Sequence, residues 1–212
     1  MLQKYNNDLN SIQPQDALEI LLDGNKRFTN GISVNKDLLS KVELTGNSQK
    51  PFAAILSCMD SRAPVEIIFD QGIGDVFSVR MAGNVTSENV LGSLEYATGV
   101  VGSKLLMVLG HTNCGAVKGA IDKVELGSLT QLLEKIRPAV TEACTDGKDC
   151  SSSDKEYVNS VAALNVHNAK QSILDQSPII KDLVKAGKVL LVGAMYDVEK
   201  GEVRVLDSKF EL

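Results

Sequence analysis

Two short stretches carry most of the residues able to do chemistry. Ser57-Cys58-Met59-Asp60-Ser61-Arg62 offers a thiol, a carboxylate and a guanidinium, and Gly110-His111-Thr112-Asn113-Cys114-Gly115 offers an imidazole and a second thiol. Each follows an apolar run, so each reads as a strand emptying into a loop. Two thiols and an imidazole are preferred donors for Zn²⁺. Cys58 stands alone, His111-x-x-Cys114 supplies two more donors, and no fourth Cys or His lies nearby in sequence. Three protein ligands leave one coordination position for water, as catalytic zinc requires. Cys114 near a helix start would also gain from the macrodipole, which favours thiolate. The competing reading makes both cysteines small core residues and His111 a loop histidine, since His-x-x-Cys recurs by chance. The Cys-x-Asp-x-Arg cluster at a matching strand end argues for a site.

Asp60 and Arg62 stand two residues apart on the same loop, close enough to fold onto each other. A guanidinium can hold a carboxylate in a two-pronged grip. Beside a zinc ligand, such a carboxylate could orient a reacting water. As a surface ion pair alone it would contribute little.

These residues need a scaffold that brings residue 58 to residues 111 and 114. The chain has 212 residues and is 43% hydrophobic, enough for one α/β domain with a substantial core. An apolar stripe predicts a helix over residues 14–30, with Pro14 in its first turn. Residues 32–50 read as loop or short helical turns. Short apolar runs predict strands at 52–56, 76–79, 104–109 and 189–194, with 203–206 returning antiparallel after a turn at Lys200-Gly201. Helices are predicted at 64–69, 87–101 with Ser87 as N-cap, 114–124, 129–143, 154–176 and 178–185. Strands alternating with helices imply a mostly parallel sheet, about four parallel strands and one antiparallel edge strand, flanked by helices. The expected layout is one domain over residues 1–212: an N-terminal helical arm to residue 50, able to pack on a partner, and an α/β core from 51. Sites in such sheets form beyond the carboxyl ends of strands, where Cys58 and His111 both stand. Residues 80–84, with little side-chain bulk, suit a loop that passes close to the site.

Net charge is −5 with scattered basic residues, which gives no nucleic-acid footprint. No apolar run approaches the roughly 20 residues of a membrane span. The polar first ten residues lack the apolar core of a secretory signal, so a cytoplasmic location is expected, or a periplasmic one if a leader preceded this numbering. Cys144 and Cys150 flank a polar segment and are expected as free thiols, or as a pair in an oxidising compartment.

Taken together, Cys58-Met59-Asp60-Ser61-Arg62 and His111-Thr112-Asn113-Cys114-Gly115-Ala116 resemble the β-class carbonic anhydrases. Arg80-Met81-Ala82-Gly83-Asn84 resembles that family's loop after the second strand, and Gly193-Ala194-Met195-Tyr196-Asp197 its last-strand motif. The resemblance implies a zinc lyase that interconverts CO₂ and bicarbonate by hydroxide attack, with one Zn²⁺ per chain, built as a homodimer or a dimer of dimers. It implies Cys58, His111 and Cys114 as ligands and Asp60 with Arg62 as the catalytic pair. It implies Gln49 as a substrate contact reaching the neighbouring subunit's site, and Gly115 as a backbone N–H near the metal. Met59 replaces the family's usual serine. Ile55 stands where the bicarbonate-regulated subclass carries tryptophan, and this chain has no Trp, although Arg80 matches that pocket's arginine. An always-open site without bicarbonate regulation is therefore expected. His167, in the longest predicted helix, is a solvated residue or a proton shuttle. Hydrolysis of CS₂ or COS on the same fold, and a zinc-holding oligomer without catalysis, are the alternatives.

Overall fold

A computed structural model describes residues 12–34, 36–144 and 150–206. The polar first ten residues, and the segment between the two later cysteines, lie outside them. Five strands form one sheet: β1 (Ala53–Ser57), β2 (Val76–Arg80), β3 (Leu105–His111), β4 (Leu190–Tyr196) and β5 (Val203–Val205). Their order is β2-β1-β3-β4-β5. All neighbours are parallel except β4 and β5. The chain leaves β1 towards β2 on one side and later builds β3 and β4 on the other. The order therefore reverses between β1 and β3, and a crevice opens beyond their carboxyl ends.

The apolar runs of β1 and β3 are buried on both faces. Ala54, Leu56, Leu106 and Val108 pack into one core layer, and Ala53, Ile55, Leu105, Met107 and Leu109 into the other. Nine α-helices lie among the described residues, and most of them cover these layers. On one face lie α1 (Pro14–Thr29) and α3 (Val65–Ile68). On the other lie α4 (Glu88–Glu95), α5 (Gly115–Ile121), α7 (Arg137–Ala143), α8 (Lys155–Gln176) and α9 (Pro178–Lys185). The short α2 (Leu38–Thr45) and α6 (Gly127–Glu134) complete the set.

Three details differ from the sequence reading. The stripe of α1, with Ala17, Leu18, Ile20 and Leu21, is buried in the chain's own core, so it leaves no apolar face for a partner. The helix expected over 129–143 is two helices broken at Lys135-Ile136. Pro138 has no N–H to give to the Glu134 carbonyl and its ring crowds the preceding turn, so the helix restarts there. Cys144 and Cys150 are joined by a disulfide, where free thiols were expected. Cys144 caps the end of α7, and the two Cα atoms come within 5.7 Å, inside the range a bridge spans. Ser87 does cap α4, its hydroxyl accepting from the Val90 N–H.

Helix α8 lies close on the sheet because two strand residues lack side chains. A Cβ at Gly110 would come within 2.6 Å of Val166, and one at Gly193 within 2.8 Å. Val166 fills the notch between β3 and β4, and Gly110 is the residue before His111.

Lys170, on the same helix, is 7% exposed. Its ammonium has no hydrogen bond or ion pair among the described residues, and burial lowers its pKa. The folded state then binds fewer protons than the unfolded state between the two pKa values, so this residue lowers stability at neutral pH. The penalty is relieved as pH rises towards about 10, where the unfolded amine also titrates. Lys170→Met is expected to raise the unfolding midpoint at pH 7 by a few degrees, with the gain shrinking at alkaline pH. A lower midpoint at pH 7 would contradict this.

Candidate metal centre

Cys58 follows the last residue of β1, His111 is the last residue of β3, and Cys114 caps the start of α5. All three are buried, and their ligand atoms lie within 4.8 Å of one another. A tetrahedral ion with bonds of about 2.0 Å to nitrogen and 2.3 Å to sulfur sets its donors about 3.5–3.8 Å apart. The three side chains could hold a metal ion after a small contraction.

The imidazole supplies the most direct test of fit. His111 Nδ1 lies 2.9 Å from the Thr112 carbonyl oxygen, which can only accept. Nδ1 therefore carries the hydrogen and Nε2 the lone pair. That Nε2 is buried and has no hydrogen-bond partner. A metal would satisfy it, and a backbone carbonyl behind the ring is the usual support of a metal-bound histidine. The sulfurs tell a similar story. The Cys114 thiol hydrogen-bonds Cys58, and with the neighbouring His111 imidazole and the Gly83 N–H at 3.3 Å it drives Cys58 towards thiolate against the opposing effect of burial. The same bond holds the proton on Cys114, whose pKa is raised. Two sulfurs compete for one proton that a divalent ion would displace.

Asp60 and Arg62 meet as the spacing suggests. Arg62 Nε donates to Asp60 Oδ1 at 2.9 Å and Nη2 to Oδ2 at 2.7 Å, and the Arg62 backbone N–H adds a third bond to Oδ1 at 3.0 Å. The guanidinium holds the Asp60 carboxyl well below the usual carboxylate range, so it is ionised at neutral pH. Asp60 Oδ2 stands 3.8 Å from His111 Nε2, too far for a hydrogen bond and near enough to face a ligand there. Arg62 Nη2 also reaches the Asn113 carbonyl at 3.4 Å, which ties the two loops together.

Several supports were not legible as such in the sequence. Arg80 donates to the backbone carbonyls of Cys58 at 3.2 Å and Asp60 at 2.5 Å, and so braces the loop between ligand and carboxylate. Only its match to a regulatory arginine had marked it. Gly83, in the loop expected to pass close, has φ +65° and its N–H on the Cys58 sulfur. A Cβ there would come within 2.6 Å of Ile136. Asn159 on α8 accepts from the Asn113 N–H, and the Tyr196 carbonyl accepts from the Thr112 N–H. These fix the His111–Cys114 turn, where Asn113 has φ +55°. A lone polar residue on a long helix, such as Asn159, gives no pattern to find it by.

The remaining candidates lie apart. Gln49 is exposed before β1, at the strand end opposite Cys58. The six residues from Ala53 to Cys58 span roughly 16 Å, which separates Gln49 from its own chain's centre. Gly115 opens α5 beside Cys114, with open space where a Cβ would be. His167 is buried, which removes the solvated reading. Ile55 is fully buried in β1.

Comparison with known proteins agrees with this geometry. Residues 53–203 match the carbonic anhydrase family. Carbonic anhydrase 2 of Mycobacterium tuberculosis (strain ATCC 25618 / H37Rv) is 34% identical over 201 residues, covering 92% of this chain and 93% of that protein. The carbonic anhydrase of Mycolicibacterium smegmatis is 35% identical, covering 91% and 93%. Among solved structures, the β-carbonic anhydrase CafA of Aspergillus fumigatus superposes with a TM-score of 0.73 at 26% identity, over 92% of this chain and 93% of that one. The Coccomyxa β-carbonic anhydrase gives 0.71 at 26% identity, over 89% and 86%. With the family match over residues 53–203 and these relatives covering most of its length, the chain belongs to the β-class carbonic anhydrases.

Proposed function

We propose that the chain catalyses the reversible hydration of CO₂ to bicarbonate and a proton, with one Zn²⁺ held by Cys58, His111 and Cys114. The observation that carries this reading is the buried, unpartnered Nε2 of His111 beside two thiols, with the Asp60–Arg62 pair facing it. When bound, Zn²⁺ supplies a Lewis acid that makes water acidic enough to yield hydroxide near neutral pH.

The chain's own residues position the reaction. Asp60, kept as a carboxylate by Arg62, accepts a hydrogen bond from the attacking O–H group and turns its lone pair towards CO₂. Arg62 keeps that carboxylate from becoming a ligand itself, and Arg80 fixes the loop that carries both. The Asp60 grip on Arg62 supports a site that is open without prior rearrangement. Gly115, at the start of α5, offers a backbone N–H for a substrate oxygen.

We further propose a homodimer, alone or paired into a tetramer, in which Gln49 serves the partner's centre. Its distance from its own Cys58 supports this. So do the outer edge of β2, unpaired among the described residues, and the exposed Leu38, Leu39, Val42 and Leu44 of α2. Two solved β-carbonic anhydrases of Sordaria macrospora are described as tetrameric. Gln49→Ala is expected to lower turnover several-fold with metal content unchanged. Light scattering that finds a fully active monomer at assay concentration would defeat the shared site. No helix among the described residues is long and apolar enough to cross a membrane. The Cys144–Cys150 bridge favours an oxidising compartment over a reducing cytoplasm, which supports the periplasmic alternative.

The function is tested by stopped-flow CO₂ hydration on metal-analysed protein, with sulfide release from CS₂ and COS assayed beside it. Fast CO₂ hydration without sulfide release is expected. Sulfide release without CO₂ hydration would transfer the site to the other substrates.

A further inference from the structure

Behind the metal loop lies a cleft that the chemistry above does not use. It runs between Thr86, Lys135 and the face of α8 that carries Asn165, Asn168, Ser172 and Gln176; it is open to solvent and offers about 200 Å³. That is room for a small polyatomic ion with a few waters, each of which claims about 30 Å³ in the liquid.

Its charge is one-sided. Lys135 is the one charged side chain among the described residues lining it, and no Asp or Glu does so, in a chain with 27 acidic residues. Lys135 is held at the cleft: its Nζ donates to the Thr86 carbonyl at 2.8 Å and keeps two further N–H groups. The walls behind it are built and polar, with Asn165 3% and Thr86 8% exposed.

Donors remain for an occupant. The Thr86 and Ser172 hydroxyls lie 2.7 Å apart, and Gln176 Nε2 donates to the Ser172 oxygen at 2.6 Å. Whichever hydroxyl donates to the other, one hydroxyl hydrogen is left over. The Asn168 side-chain amide has no hydrogen bond among the described residues. A cation and several unspent donors around a cavity free of carboxylates suit an oxyanion, which accepts from all of them.

We propose that this cleft is a binding site for a small oxyanion, a phosphate or carboxylate group. The site is wired to the metal loop. Asn165 Nδ2 donates to the Gly83 carbonyl at 2.7 Å, and the Gly83 N–H donates to the Cys58 sulfur at 3.3 Å. Filling the cleft is therefore felt at Gly83.

The test is a titration of ¹⁵N-labelled, zinc-loaded protein with inorganic phosphate and, separately, with acetate, at ionic strength held constant with chloride. Saturable shifts of the Thr86, Asn165, Asn168 and Gly83 resonances are expected. Lys135→Gln should weaken binding about tenfold through loss of the charge-assisted bonds. Asn168→Asp, isosteric and safe for the fold, should abolish it by placing a carboxylate in the cleft. Tighter phosphate identifies a phosphoryl ligand, and tighter acetate a carboxylate one. Equal binding by wild type and both variants would move the anion to the metal and overturn the proposal. So would the absence of saturation up to tens of millimolar.

Discussion

An Arg62→Ala protein is expected to keep its zinc and lose CO₂ hydration near neutral pH, on the order of a hundredfold or more. Asp60 lies two residues from Cys58, and its Oδ2 is already 3.8 Å from His111 Nε2. Two bonds from the guanidinium and one from the Arg62 backbone hold it back from the place a metal between the three side chains would take. With the fork removed, the carboxylate is free to move onto the metal and take the place that water needs. A crystal structure of the variant should show a fourth protein ligand, an oxygen of Asp60. Arg62→Lys should recover only part of the rate, because a point charge cannot fix a carboxylate's orientation. An Arg62→Ala enzyme with near wild-type activity would reduce the pair to a surface salt bridge.

Cys114→Ala is expected to lose both the metal and the activity. Cys58 and His111 alone would face the ion with two donors, and Zn²⁺ sites in proteins hold three or four. Metal analysis of the purified variant should find well under one equivalent, with CO₂ hydration at the level of the uncatalysed reaction. The truncation also leaves a small cavity beside Val117, so Cys114→Ser is the volume-conserving control and should fail likewise. A full equivalent of zinc with normal turnover in Cys114→Ala would mean that the ligands are misassigned.

The ligand cluster was legible because it sits where two simple patterns end. Apolar runs at 52–56 and 104–109 read as buried strands, and in a parallel sheet the residues after them share one rim. The Asp60–Arg62 pair was legible because its partners are two residues apart. Long-range supports were not. Arg80 spends its guanidinium on two backbone carbonyls, a role that no local pattern encodes. Asn159 and Asn165 sit on a helix whose polar and apolar residues do not sort cleanly, since α8 packs on several sides. The break in residues 129–143 was readable from Pro138, but the apolar spacing ran through it. The stripe on α1 revealed that a face was buried and gave no sign of which surface buried it. It closes the core of its own chain. The pairing of Cys144 with Cys150 depended on how α7 ends, which composition does not set.

The most direct test of the account is X-ray absorption at the zinc K edge on the purified wild-type protein. Two sulfur scatterers at about 2.3 Å and two nitrogen or oxygen scatterers at about 2.0–2.1 Å are expected, one of the latter from His111 and one from solvent. Zinc absent after loading, a shell of nitrogen and oxygen alone, or more than two sulfurs would contradict a centre built from Cys58, His111 and Cys114.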